Sequence, residues 1–207
     1  SAAVVDASLS GLRVAVSSDL GMAEVDPDVR AVFESAIAGL GVDLTETHPM
    51  PVEPTALWDR IALPEGYASE GPIVAAHPEL VGADATAIVL EGASVSARDY
   101  LDAQHERAAY LQIWDEFFSD FDVLLTPTMP VTAFEVGRLA PATINGRPVP
   151  PSFDAWCALS LPANLAGLPA ASIPIGTGDD GLPIGLQIMA RRWGDATVLR
   201  AAAAIAG

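Results

Sequence analysis

Apolar positions along the chain alternate between short continuous runs and helical spacing, and this order predicts the elements. Leu12-Arg13-Val14-Ala15-Val16 reads as a short buried strand. Asp26-Pro27 then predicts a helix start, with Asp26 as N-cap and Pro27 in the first turn. Val29, Val32, Phe33, Ala36, Ile37 and Leu40 recur at helical spacing, and Gly41 is expected to stop the helix. Val42 to Thr47 predicts a second strand. Strand, helix and strand in this order form a βαβ unit, so the fold class is α/β with a sheet flanked by helices.

Beyond it the spacing turns helical. From Glu53 to about His77 the prolines at 64 and 72 predict two or three short helices rather than one. Asp84 to Glu91 predicts another helix. Ser96 should cap a long one reaching about Ser119, with Tyr100, Ala103, Arg107, Tyr110, Leu111, Trp114 and Phe118 on its buried face. Asp122 to Pro127 reads as a strand, and the proline-rich stretch 128–152 as a loop wandering over the surface. Phe153 to Leu161 predicts a short helix. Ala170–Ile175 and Ile184–Met189 read as strands joined by Gly178-Asp179-Asp180-Gly181 into a hairpin. Ala196 to Ala204 is a closing helix.

Composition narrows the function classes. Hydrophobic residues make up 51% of the 207 and charged residues 18%, so a packed core is expected. The net charge of −17 disfavours nucleic acid and anionic membranes as partners. All ten basic residues are arginine, so no chemistry that needs a lysine amine can arise within this sequence. The single cysteine, Cys157, allows neither an internal disulfide nor a cysteine metal cluster, and with no visible signal peptide or membrane span it suggests a cytoplasmic setting. The opening Ser1-Ala2-Ala3, without an initiator Met, is expected to be a cut or engineered start.

Four motifs in fixed order carry a resemblance. Asp122-Val-Leu-Leu-Thr-Pro-Thr128 is followed by Asn164-Leu-Ala-Gly-Leu-Pro-Ala170 and Ser172-Ile-Pro174, then by Gly181-Leu-Pro-Ile-Gly-Leu-Gln-Ile188, with Asp195 and Leu199 beyond. Together with the upstream βαβ unit they resemble the amidase-signature family over nearly the whole chain. The resemblance implies an α/β/α fold around a mixed β-sheet, of which residues 1–207 would be the C-terminal part. It implies hydrolysis of a small-molecule amide. It places the chemistry of the family upstream, in a serine, a cis-serine and a lysine within a Gly/Ser-rich segment. None of these can be assigned here, so no catalytic residue is expected and the chain alone should be inactive. The expected partner is the missing N-terminal half, and an exposed edge left by its absence predicts self-association.

The resemblance also implies pocket-lining positions: Tyr67, Trp156 and Cys157. The glutamine-specific tRNA amidotransferase branch carries an aspartate where Cys157 stands and an arginine near Thr86-Ala87; both are missing here, which implies an apolar or aromatic amide. Against this, Trp156 and Tyr67 read equally as core aromatics and Cys157 as a core thiol. The matched turn residues read as fold-making: Gly167 and Pro169 for a chain reversal, Gly181 and Pro183 for the hairpin, and Gly185 for a close backbone approach. Gln187 should hydrogen-bond within the sheet. His48, His77 and His105 are far apart and suggest no metal site, and no cofactor motif is present. Arg191-Arg192-Trp193 reads as a solvated corner over a buried indole. Two rival readings are a non-catalytic binding or regulatory module of the same fold and a self-contained small hydrolase.

Overall fold

The computed structural model describes residues 7–49 and 54–207, and for Phe153 and Asp154 the backbone alone. The expected helix start at Glu53 and the Ser1-Ala2-Ala3 opening lie outside these residues. The chain divides into two compact units, Ser1–Glu53 with Ile113–Gly207, and Pro54–Gln112.

The first unit is built on a five-stranded mixed sheet. Its strands are β1 (Val14–Val16), β2 (Leu44–Glu46), β3 (Val123–Pro127), β6 (Ala170–Thr177) and β7 (Pro183–Met189), in the order β2-β1-β3-β7-β6. β1 runs parallel to both β2 and β3, while β7 is antiparallel to β3 and to β6. Val14, Val16, Val123, Leu125, Leu186 and Ile188 present one apolar face, as the period-2 alternation requires. Helices α1 (Pro27–Ala38) and α6 (Asp195–Ala206) cover it through Phe33, Val198 and Ala201, each 3% exposed or less. At about 25 cal/mol per Å² this burial is the main stabilising term of the unit.

Local signals act largely as the sequence suggests. Helix α1 ends earlier than expected, at Ala38 with Gly39 as its C-cap, and Gly41 follows outside it in a left-handed conformation at φ +64°. Asp26, however, does not cap α1 with its side chain. Its carboxylate instead accepts the backbone N–H of Asn145, in the turn between the short strands β4 (Thr143–Ile144) and β5 (Arg147–Pro148). The stretch 128–152 runs mostly over the surface, as expected, but is pinned at points: Pro130, Ala140, Pro141 and Ile144 are buried, and Pro130 accepts the N–H of Asp26 at 2.8 Å. The expected helix at 153–161 is a 3-10 turn at Phe153–Trp156 followed by α5 (Leu161–Ala166). Gly167, at φ +62°, ends α5 in the left-handed conformation and reverses the chain toward β6.

The second unit is helical: α2 (Thr55–Ala76), α3 (Ala83–Glu91) and α4 (Ala97–Asp120) as far as Gln112. Here the sequence reading needs correction. Pro64 and Pro72 do not divide the segment, and α2 runs 22 residues through both. Each proline removes a single backbone donor, and packing outweighs that loss. Gly92, after α3, lies so close to α2 that an added Cβ would sit 2.0 Å from the carbonyl oxygen of Leu63. Arg60 donates to both carboxylate oxygens of Glu106, raising its own pKa and holding the Glu106 carboxyl below its usual value. Tyr100 donates to Glu65 at 2.7 Å, and that bond holds its phenol above the ordinary range. Ser96 caps α4 as expected, its hydroxyl accepting the N–H of Asp99 at 3.1 Å.

Candidate functional site

A concavity lies in the first unit, where β3 leaves the sheet. It is an open groove of about 530 Å³. The chain after β3 forms one wall through Met129, Val131 and Phe134, and Trp156 from the 3-10 turn adds to it. Ser172 and Pro174 of β6 and Ile184 and Gly185 of β7 supply the sheet side, and Val29 of α1 reaches in.

Strand parity puts the polar groups at the floor. Thr128 follows β3, bonded through its N–H to the Gly185 carbonyl at 2.8 Å. Its hydroxyl lies 2.6 Å from the Ser172 hydroxyl on β6, spanning the intervening β7. That is possible because residue 185 is glycine: a Cβ there would meet the Ser172 Oγ at 2.7 Å and the Thr128 Oγ1 at 2.8 Å. The sequence reading of a close approach at Gly185 is right in place, but the approaching groups are hydroxyls and not backbone. Two hydroxyls bonded to each other keep one O–H hydrogen and several lone pairs for a third group.

The rim is held by charge. Thr132 donates to Asp180 at 2.7 Å and the Leu182 N–H donates to the other carboxylate oxygen at 2.9 Å. Those bonds, the first foremost, hold the Asp180 carboxyl below its usual value. They fasten the hairpin turn to the loop that carries Phe134. Trp156 meets Phe134 edge to face, with ring centroids 5.5 Å apart, and its indole N–H donates to the Leu139 carbonyl at 2.9 Å. Behind it, Gln187 is 4% exposed and its amide donates to the Thr126 hydroxyl at 3.0 Å and the Leu159 carbonyl at 2.8 Å. The expected bond within the sheet is thus present, and it also ties the segment carrying Trp156 to the strands.

Of the three pocket-lining expectations, Trp156 lines this groove. Cys157 is buried, 7% exposed, and is absent from the groove lining. Tyr67 stands on α2 in the other unit, 41% exposed, with its ring over Gly71. Among the described residues the groove lining contains no histidine, carboxylate, cysteine or lysine, and the Asp180 carboxylate touches it only from the rim, through the Thr132 hydroxyl. The Ser17-Ser18 pair serves the loop after β1: Ser17 accepts the Leu20 N–H at 2.9 Å and Ser18 bonds Arg30. Among the described residues no three His, Cys, Asp or Glu side chains gather as metal ligands. No described helix is long and apolar enough to cross a membrane. At the far end of the sheet the Trp193 indole is 87% exposed with Arg192 over its ring, contrary to the expected buried indole.

Sequence reasoning missed Thr128, Phe134 and Ser172. Two of them carry a signal in the sequence: Thr128 closes one of the matched motifs and Ser172 opens another, but their alternation alone reads as strand patterning.

The arrangement defines a class: an α/β unit presenting an apolar groove with a pair of hydroxyls at its floor. The sequence profile of the Amidase family matches residues 2–199, and the chain belongs to that family. It is 35% identical over 201 residues to the acylamidase of Rhodococcus erythropolis, covering 94% of this chain and 42% of that protein. A fatty acid amide hydrolase of Medicago truncatula is 42% identical over 113 residues, covering 54% of this chain and 18% of that protein. Among solved structures, one from a vestigial protein complex bearing on the origins of an s-triazine catabolic enzyme superposes with a TM-score of 0.82 at 26% identity, covering 98% of this chain and 44% of the other. A bacterial aryl acylamidase of the amidase-signature family shares the fold, with a TM-score of 0.76 at 24% identity, covering 94% and 43%. The chain thus spans under half the length of these relatives, a share that agrees with a C-terminal portion.

Proposed function

We propose that this chain is the C-terminal portion of an amidase-signature domain that hydrolyses a small apolar or aromatic amide, and that it supplies a substrate-binding wall rather than the chemistry. The observation that carries the reading is the groove itself: apolar walls, an aromatic pair at Phe134 and Trp156, and a hydroxyl pair at its floor. Such a surface favours an acyl or aryl group and would leave a charged substrate end unpaired. The name of the Rhodococcus relative, an acylamidase, supports the same substrate class.

In this reading the nucleophile and its lysine base reside in the portion of the domain that the relatives have and this chain does not span. Trp156 is the groove residue, with Cys157 behind it as packing. Tyr67 is a separate lining candidate on the helical unit. The chain alone is inactive, self-associates at high concentration through its uncovered surfaces, and works in the cytoplasm.

The test is binding and turnover on the purified chain. Acetanilide at millimolar concentration should quench tryptophan fluorescence, the quench should vanish in Trp156→Phe, and no aniline should form. An unchanged quench in the variant would remove the groove from the proposal. Aniline release above background would refute inactivity.

A further inference from the structure

The corner between β7 and α6 gathers basic and aromatic groups on an acidic chain. Arg13, Arg30, Arg60, Arg98 and Arg147 each pair with a carboxylate. Arg191 and Arg192 form no ion pair among the described residues. Asp122, whose carboxylate feels the charge of Arg191, is already bonded at both oxygens by Arg13. Beside these two arginines Trp193 is 87% exposed and sits at φ +66°. That left-handed conformation strains a bulky side chain and suits glycine. The turn imposes it. The Gly194 N–H closes onto the Arg191 carbonyl at 2.8 Å, and the Gly194 carbonyl opens α6 by accepting the N–H groups of Thr197 and Val198. The Trp193 indole buries too little surface to offset the strain, and Arg192 holds its guanidinium 5.9 Å from the ring centroid. An exposed tryptophan kept in a strained turn points to a use outside the fold.

The same three residues line a cleft of about 430 Å³, closed on its other side by Asp115, Phe118 and Ser119 of α4. That volume suits a ligand with a single ring. Each lining group restricts what can enter. The guanidinium groups of Arg191 and Arg192 are donors in a planar fork that matches a carboxylate. The indole of Trp193 offers a flat apolar face to a ring. The Ser119 hydroxyl spends its hydrogen on the Glu116 carbonyl at 2.7 Å, so Ser119 and the Asp115 carboxylate can only accept. The cleft therefore offers donors for an anion on the β7 side and acceptors on the α4 side, with an aromatic surface at the corner.

We infer that this corner binds a small aromatic carboxylate that also carries a hydroxyl or amino donor. Its carboxylate meets Arg191 and Arg192, its ring lies on Trp193, and its donor faces Asp115 and Ser119. Asp115 selects: it repels a bare anion and accepts from a ligand with a donor. The net charge of −17 does not forbid the anion. At about 0.15 M salt, charges farther than about 8 Å are largely screened, so the adjacent arginine pair decides. The inference is independent of the proposed hydrolysis, because the groove is lined by Pro183, Ile184 and Gly185 at the start of β7, whereas this cleft follows the end of β7.

The experiment titrates 4-hydroxybenzoate, benzoate, acetate and benzyl alcohol into the isotope-labelled chain. Two-dimensional NMR follows the indole N–H of Trp193 and Trp156 and the Nε–H of Arg191 and Arg192. The expected result is a saturable shift of the Trp193 and arginine signals together with 4-hydroxybenzoate, while Trp156 stays in place. Binding of acetate, which lacks the ring, and of benzyl alcohol, which lacks the charge, should each be about 10-fold weaker. Trp193→Gly, which relieves the strained φ, should keep or raise the urea midpoint and weaken 4-hydroxybenzoate binding about 10-fold. Arg191→Gln with Arg192→Gln should abolish binding and leave the midpoint unchanged. Asp115→Asn should tighten benzoate and remove the preference for the hydroxyl. Shifts that do not saturate, or acetate binding as well as the aromatic acid, overturn the proposal. A lowered midpoint in Trp193→Gly makes the tryptophan a packing residue and overturns it too. Shifts at Trp156 without shifts at Trp193 place the acid in the groove and overturn the assignment to this corner.

Discussion

Gln187→Leu should destabilise the sheet unit by about 2 kcal/mol. Its side chain is 4% exposed and donates to two acceptors at 3.0 and 2.8 Å. Thr126 loses little, because its own hydroxyl still donates to the Pro127 carbonyl at 2.9 Å. The Leu159 carbonyl loses its donor inside a residue that is 0% exposed, and an orphaned buried acceptor costs roughly 1–3 kcal/mol. The added apolar surface of Leu offsets a fraction of this, while the broken tie between the 153–161 segment and the sheet adds to it. A loss of ~2 kcal/mol corresponds to a fall of roughly 4–8 °C in Tm for a chain of this size. Urea unfolding followed by circular dichroism measures it, with Thr126→Val and the double variant completing a cycle. Coupling between the two positions should be about 1 kcal/mol. A Gln187→Leu stability within about 0.5 kcal/mol of the parent, inside the range of neutral surface changes, would refute the tie.

Gly92→Ala should disrupt the helical unit, because the new Cβ would lie 2.0 Å from the Leu63 carbonyl oxygen and 2.9 Å from the Tyr67 Cβ; loss of helical circular dichroism measures it. Gly185→Ala should separate the Thr128 and Ser172 hydroxyls and abolish acetanilide quenching, at a cost of about 1–3 kcal/mol in urea unfolding. Arg13 holds the Asp122 carboxyl below its usual value, first by their side-chain hydrogen bond. A carboxyl lowered on folding stabilises above its unfolded pKa and loses that contribution as pH falls through the folded value. The stability gap between the parent and Arg13→Met should therefore be widest near neutral pH and close below about pH 3; a gap independent of pH would contradict the pairing.

The fold was legible where one local rule dominates. The strand at Val14–Val16, the Ser96 cap and the Gly178–Gly181 hairpin each follow from residues within a few positions. Legibility failed where distant packing decided. Two prolines predict breaks in α2, yet one helix runs through both, and it packs against Gly92, far along the sequence from Leu63. Asp26 reads as a cap, but its carboxylate serves the Asn145 turn instead. At the groove, Trp156 was named by resemblance, whereas Thr128 and Ser172 became visible only when β7 placed Gly185 between their strands. A hydroxyl pair 44 residues apart leaves no periodic trace in one sequence.

The decisive measurement is hydrolysis of a 4-nitroanilide by the purified chain, alone and after refolding with the remaining portion of the Rhodococcus erythropolis acylamidase. The chain alone should release no 4-nitroaniline above background, and the reconstituted pair should release it with Trp156→Phe altering KM more than kcat. Turnover by the chain alone at an enzymatic rate would contradict the claim that it binds the substrate without cleaving it.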